Sequence, residues 1–249
     1  MIKIDLNADI GESLGRYTIG DDKALMEYVT SVSIACGFHA GDPNVMENVT
    51  KSAAKKKLNI GAHPGLPDIM GFGRRAMQIS SEDLKNYVTY QIGALDAFLK
   101  RYNQKVMYIK PHGAMYRMVE ESEEYAEALC YSILGYNPEL ALITENGKVS
   151  ERIAMKHGIK VVREGFPDLD YDESGNWVIE RNKRVRTPEE VAERAIEMIL
   201  KKRVKQLDGK FKEMKVDTLC IHGDSPNAVE IANTVNSSLI KNNIHVYGF

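Results

Sequence analysis

Short runs of β-branched and apolar residues alternate with longer helix-patterned stretches from one end of this chain to the other, and no other feature constrains its fold as tightly. Ile2-Lys3-Ile4-Asp5-Leu6 reads as a first strand and Val32-Ser33-Ile34-Ala35-Cys36 as a second. Leu58 to Ala62, Val106 to Ile109, Leu140 to Thr144, Ile159 to Arg163 and Thr218 to His222 continue the series, and Ile244-His245-Val246-Tyr247 closes it. Between them, Asp42-Pro43 pairs an N-cap acid with a proline at the first helical position. Ser81-Glu82-Asp83 opens a helix expected to reach about Arg101. Thr187-Pro188-Glu189-Glu190 has the form of a capping box and predicts a helix to about Arg203, and Ser225-Pro226 starts the last large one.

Strand, loop and helix in repetition argue for a parallel sheet covered by helices. The gaps are short and leave no evident linker, so residues 1–249 are expected to form one α/β-barrel domain of the TIM type, with an open doubly wound sheet as the competing topology. Residues 166–184, which hold Trp177, are the least regular and read as an inserted loop or small hairpin.

The strands share a second feature: nearly every one runs into a polar, glycine-containing cluster. The first leads to Asn7, Asp9 and Glu12, the second to His39 and Asp42, and the third to His63, then Asp68, Arg74 and Arg75. The fourth ends in Lys110-Pro111-His112, the sixth in Glu164 and Asp168, and the seventh in His222-Gly223-Asp224. In a parallel barrel these strand ends share one rim, where barrel enzymes place their active sites. Four of the six histidines (His39, His63, His112 and His222) fall there, whereas His157 and His245 lack that context and read as structural. Histidine and carboxylate at such a rim suit acid–base chemistry, and Lys110, Arg74 and Arg75 suit an anionic substrate or a phosphate. Adjacent arginines cannot easily face one point in an extended chain, so one of the two is expected to be structural.

Other classes are disfavoured. A formal net charge of -2 gives no reason to expect a nucleic-acid or membrane partner. Three cysteines with no CxxC spacing do not make a disulfide framework or a structural zinc site; Cys36 and Cys220 read as buried, inert thiols. Polar residues within the first five positions argue against a signal peptide, and a reducing cytoplasm is the expected location. There is no Walker-type phosphate loop, HExxH or GxSxG motif; Gly71-Phe72-Gly73-Arg74-Arg75-Ala76 matches a dinucleotide fingerprint only on paper, since no strand leads into it.

The blocks Asp5-Leu6-Asn7-Ala8-Asp9-Ile10-Gly11-Glu12, Ala35-Cys36-Gly37-Phe38-His39-Ala40-Gly41-Asp42-Pro43, Gly61-Ala62-His63-Pro64-Gly65-Leu66-Pro67-Asp68, Gly71-Phe72-Gly73-Arg74-Arg75, Lys110-Pro111-His112-Gly113-Ala114 and His222-Gly223-Asp224-Ser225-Pro226 resemble, in order and over almost the whole chain, the LamB/YcsF family, the A subunit of bacterial and archaeal 5-oxoprolinase. The resemblance implies a distorted seven-stranded, TIM-like α/β barrel of the glycoside hydrolase/deacetylase type. It also implies ATP-dependent opening of 5-oxo-L-proline to L-glutamate in a complex with B and C subunits. Two positions depart from the family pattern: Leu169 stands where an arginine is usual, and Arg117 where an asparagine commonly follows Tyr116.

On that reading Lys110 and Arg74 would stabilise a phosphate or developing oxyanion. Asp9 or Asp42 would activate water, and His112 or His63 would protonate the departing nitrogen. Asn7, Glu12, His39, Asp68, Arg75, Glu164, Asp168, His222 and Asp224 would complete the substrate or phosphate site. ATP would be held without a phosphate loop, by this chain or by a partner. Asp9, His39 and His63 are of the types that ligate a divalent metal, and hydrogen bonding alone would equally account for them. The rival readings are a metal-dependent deacetylase of N-acetyl sugars and a non-catalytic lactam-binding subunit.

Overall fold

The structure is a computed structural model that describes residues 1–180 and 183–249. In chain order its elements are β1 (Ile2–Ile10), α1 (Asp22–Leu25), β2 (Ser31–Ala35), α2 (Pro43–Lys56), β3 (Asn59–His63), α3 (Ser81–Lys100), β4 (Tyr108–Ile109), α4 (Gly113–Glu121), α5 (Glu123–Tyr136) and β5 (Ala141–Glu145). There follow α6 (Val149–Lys156), β6 (Lys160–Gly165), α7 (Pro188–Leu200), β7 (Arg203–Lys205), β8 (Phe211–Glu213), β9 (Thr218–His222), α8 (Ala228–Lys241) and β10 (Ile244–Val246). Strands β1 to β6 and β9 pair in parallel around a closed ring, with β9 returning to β1. The seven-stranded barrel implied by the family resemblance is therefore the fold, one strand fewer than the eight runs of the strand series. Strand β10 lies outside the ring, pairing Ile2–Ile4 with Ile244–Val246.

Helix packing follows from sequence spacing. In α3 the apolar Leu84, Val88, Ile92, Leu95 and Leu99 recur every three or four residues and all are buried. Each such side chain contributes roughly 1.5–3 kcal/mol on leaving water. Ser80 caps this helix, exchanging bonds with Asp83, so the cap lies one residue before the expected start. Helix α7 begins as expected, with Thr187 accepting from Glu190, but stops at Leu200. Lys202 turns left-handed, and Arg203 enters the antiparallel β7–β8 hairpin, which the helical pattern had concealed. Helix α8 starts at Ala228, after a turn closed by Ala228 N–H on the Ser225 carbonyl, and not at Pro226.

The largest departure concerns β1. The strand pattern predicts an end at Leu6, yet β1 continues to Ile10, and the polar residues after Leu6 obey strand alternation. Leu6, Ala8 and Ile10 join the core beneath the helices. Asp5, Asn7 and Asp9 face into the barrel, where Asp5 accepts from Thr30, Ser31 and Thr218. Burial still raises the Asp5 pKa despite these bonds. Beneath this polar column, Tyr108, Ala141, Ile143 and Val162 plug the floor of the barrel. A Cβ on Gly61 would overlap the Tyr108 ring, so glycine is what makes room for it.

Candidate active site

The polar column continues upward to the mouth. Lys110, just past β4, is 1% exposed, and its Nζ donates to Asp9 Oδ1 (2.8 Å) and Asn7 Oδ1 (3.3 Å). It also lies 2.8 Å from Glu164 Oε1 and 3.0 Å from Cys220 Sγ. Burial alone would depress this amine, but Asp9 and the other acidic neighbours outweigh it and hold Lys110 well above its usual pKa. The same pairing outweighs burial at Asp9, which His63 and Lys110 hold well below the carboxylate range. Glu164 also accepts from Asn7 Nδ2 (2.9 Å) and the Tyr116 hydroxyl (3.1 Å). Lys110 is thus a fixed cation whose counter-ions hold it in place.

Three imidazoles surround this group. His63 Nδ1 donates to the Lys110 carbonyl (2.7 Å). His112 Nε2 donates to the Phe72 carbonyl (2.8 Å). His39 stacks flat on His112 at 3.7 Å between ring centroids, and its Nε2 is 3.3 Å from Glu12 Oε1. Burial pushes both His39 and His112 well below the usual imidazole value. The close stacking needs Gly73, whose φ is +65° and whose added Cβ would come within 2.6 Å of His39 Cβ.

His222, at the end of β9, stands on the other side. Asp168 accepts from its backbone N–H (2.9 Å) and from its Nδ1 (3.0 Å), which leaves Nε2 turned towards Asp9 Oδ2 at 3.9 Å. Burial disfavours the Asp168 carboxylate, but His222 beside it outweighs this and keeps it well below its usual value.

Above these groups is a cavity of about 30 Å3. Its polar floor is Asp9, His63, Lys110, His112 and His222, and its apolar wall includes Tyr116, Phe166, Leu169, Trp177 and Ile179. Of the irregular stretch expected as an inserted loop or small hairpin, the described residues 166–180 and 183–184 supply most of that wall and carry one antiparallel bridge, Tyr171 to Trp177, while residues 181–182 lie outside the described residues. The Trp177 ring packs edge-on against Tyr116 and carries the Arg117 guanidinium 4.7 Å above it. Leu169, in the place of the family's usual arginine, completes the apolar side. At the edge, Arg74 donates to Asp224 Oδ2 (2.7 Å) and to the Glu180 carbonyl (3.0 Å), and Lys183 lies 3.8 Å from Asp224 Oδ1. Two cations thus share one carboxylate there.

Three of the residues singled out from the sequence lie elsewhere. Asp42 caps α2, accepting from Asn44 and Val45, and also accepts from Gly15 N–H, so its carboxylate is committed to backbone. Asp68 caps the turn at Ile69–Gly71 and pairs with Arg75, whose side chain is largely exposed. Of the two adjacent arginines, Arg74 faces the cavity and Arg75 faces out. Sequence reasoning passed over Tyr116, Phe166, Trp177 and Lys183, and it set Cys220 aside as inert. Burial does push the Cys220 thiol well above its usual value, but its sulfur touches the Lys110 ammonium. The alternation of Thr218, Cys220 and His222 along β9 was the available signal.

Fold and site together define a parallel α/β barrel with an acid–base pocket at the C-terminal rim of its strands. Residues 4–249 match the model of the LamB/YcsF family, and the chain belongs to that family. It is 43% identical over 249 residues to the 5-oxoprolinase A subunit of Pyrococcus abyssi, covering 98% of this chain and 97% of that one. It is 44% identical over 248 residues to the 5-oxoprolinase A subunit of Clostridium beijerinckii, covering 99% and 97%. Among solved structures, the lactam utilization protein of Thermus thermophilus superposes with a TM-score of 0.92 at 40% identity, covering both chains fully.

Proposed function

We propose that this chain is the A subunit of a 5-oxoprolinase and that it opens 5-oxo-L-proline to L-glutamate, with ATP as co-substrate and B and C subunits as partners. The observation that carries this reading is the make-up of the pocket, taken with full-length likeness to proteins bearing that subunit's name. The aromatic wall suits a five-membered ring. Arg74 and Lys183, which share the Asp224 carboxylate, suit the substrate's carboxylate.

The lactam is a resonance-stabilised amide with a poor leaving group. Transfer of the γ-phosphoryl group of ATP to its carbonyl oxygen releases ADP and leaves a carbon that water can attack. Lys110 stabilises the negative charge that builds on the oxygens. Asp9 is too firmly held as a carboxylate to be an effective base; it anchors Lys110 and His63. His63 and His112 have their N–H groups turned to backbone carbonyls, so neither has a proton aimed at the cavity. His222 has its Nε2 free and its Nδ1 fixed by Asp168, and it takes the proton from water and passes it to the ring nitrogen as the C–N bond breaks. That leaves an acyl phosphate, which a second water hydrolyses to the new carboxylate and inorganic phosphate.

The cavity has room for only a water or two, so substrate enters when the segment carrying Trp177 lifts. ATP is much larger than this space, which favours a nucleotide site completed by a partner. The decisive experiment is to co-purify the chain with candidate partner subunits and to measure glutamate formed from 5-oxo-L-proline with and without ATP. ATP-dependent glutamate formation that is lost on leaving out this chain is the expected result. Acetyl release from N-acetyl sugars without ATP would replace this reading with the deacetylase one.

A further inference from the structure

Arg186, just before the Thr187 cap of α7, is 3% exposed, and its guanidinium lies between two acids from opposite ends of the segment that walls the pocket. Its Nη2 donates to Glu180 Oε1 and its Nη1 to Glu180 Oε2 (3.3 Å), a two-pronged grip on one carboxylate. The same Nη2 lies 3.1 Å from Asp170 Oδ2. Between the two acids the chain doubles back: Val178 N–H donates to the Asp170 carbonyl (2.9 Å), and Tyr171 bridges Trp177. Asp170 and Glu180 are thus the two feet of a hairpin, and Arg186 is the clasp across them. Burial disfavours the Glu180 carboxylate, but Arg186 outweighs it and holds it below its usual pKa.

The clasp is itself anchored to the rim. The Arg186 carbonyl accepts from Asn227 Nδ2 (2.9 Å), just past Asp224 in the block that follows β9. The two feet differ in what else holds them. Asp170 also pairs with Arg184 (3.3 Å) and Arg194 (3.6 Å). The Glu180 carboxylate has, besides Arg186, only a long bond from the Arg184 N–H (3.4 Å) among the described residues. The backbone carbonyl of Glu180 accepts from Arg74 Nη1 (3.0 Å), while Asp224 accepts from Arg74 Nη2 (2.7 Å). The Arg74 guanidinium is therefore held from two sides, by a rim carboxylate and by a carbonyl whose place depends on Arg186.

We propose that Arg186 is a positioning residue for substrate binding: by gripping Glu180 against Asp170 it closes the hairpin and aims Arg74 at the substrate's carboxylate, a role that rests on the lactam reading. Arg186 itself makes no contact with substrate. The carboxylate it serves does not react, so bound substrate and transition state gain equally, and the effect appears in KM rather than in kcat. The clasp lies at the feet of the hairpin, so the Trp177 end can lift while Glu180 keeps its hold on Arg74. A lysine would keep the charge but lacks the planar fork, and it cannot span both oxygens of Glu180 and still meet Asp170.

The test uses the reconstituted complex with Arg186→Lys, Arg74→Met and the two combined. Arg186→Lys should raise KM for 5-oxo-L-proline about tenfold and leave kcat within about twofold of wild type. Arg74→Met should raise KM further, and the double variant should match Arg74→Met alone, because Arg186 acts through Arg74. Trp177 is the chain's one tryptophan, so its fluorescence reads the hairpin directly, and acrylamide should quench it more strongly in Arg186→Lys than in wild type. Glu180→Gln keeps the backbone carbonyl and weakens the grip, so it should repeat both effects, and it decides the question should Arg186→Lys not fold. KM effects that add in the double variant, or a fall in kcat at unchanged KM, would make Arg186 merely structural and overturn the role. Equal quenching in wild type and variants overturns the clasp itself. A wild-type complex that forms no glutamate overturns the lactam reading and the carboxylate role with it, whereas wild-type turnover with KM unchanged in the variants overturns the Arg186 role alone.

Discussion

Asp168 holds His222 at two points, its backbone N–H and its Nδ1, both about 3 Å from the carboxylate. A carboxylate that accepts from Nδ1 fixes which ring nitrogen is free, and here the free one faces the cavity. Asp168→Asn keeps the shape of the side chain but can present an N–H to Nδ1, which favours the opposite tautomer. Turnover in the reconstituted complex should fall by about 10²–10⁴-fold, with KM for 5-oxo-L-proline little changed. A variant that keeps wild-type kcat would remove His222 from the proton-transfer role.

Lys110 is buried between Asp9 and Glu164, so removing it leaves two carboxylates without their counter-ion. Lys110→Met should cost about 3–5 kcal/mol of stability, because an uncompensated buried charge is the expensive case. Adding Asp9→Asn should recover part of that loss. Urea melts of the single and double variants measure both. A Lys110→Met chain as stable as wild type would show that water reaches this column freely.

Asp42 should behave in the opposite way. Its carboxylate satisfies three backbone N–H groups at the start of α2 and in the loop at Gly15. Asp42→Ala should therefore cost about 0.5–2 kcal/mol of stability and leave kcat close to wild type. A large fall in kcat with stability intact would return Asp42 to the catalytic group.

Glu120 gives a prediction about pH. Its carboxyl, on α4, accepts from Trp177 Nε1 (3.1 Å). Burial, then the neighbouring Glu145, push its pKa up to about 8, against the opposing pull of Lys148 and Arg117. The folded chain thus keeps a proton that the unfolded chain releases near pH 4.5. Between those values the folded state binds more protons, so stability falls as pH rises from about 4.5 to about 8 and then levels off. Glu120→Gln should flatten this slope and raise Tm by a few degrees at pH 8 (about 2–4 °C per kcal/mol for a chain of this size). Equal slopes in variant and wild type would show that Glu120 is not the group responsible.

What could be read from the sequence, and what could not, divides along a physical line. Glycine-flanked polar blocks at strand ends announced themselves, because a rim residue needs both a turn and a functional group; His63, His112, Lys110 and His222 were found that way. Asp42 and Asp68 sat in the same blocks, but an acid before a helical turn serves as a cap equally well, and spacing alone cannot separate the two uses. The polar interior was hidden for another reason. Asn7 and Asp9 alternate with Ala8 and Ile10 as strand residues do, yet polar groups lower β-propensity, so the pattern points to a stop at Leu6. Trp177 and Lys183 reach the site through a segment with no period at all, and only tertiary contacts reveal them.

One consequence of the long first strand concerns how the molecule is made. Residues 5–9 hydrogen-bond in register with residues 218–222, and residues 2–4 with residues 244–246. Asn7 and Asp9 emerge from the ribosome some two hundred residues ahead of their neighbours across this seam. The pocket therefore cannot exist until β9 has been made, and a nascent chain stalled before β9 would expose the unpaired flank of β1 to other chains.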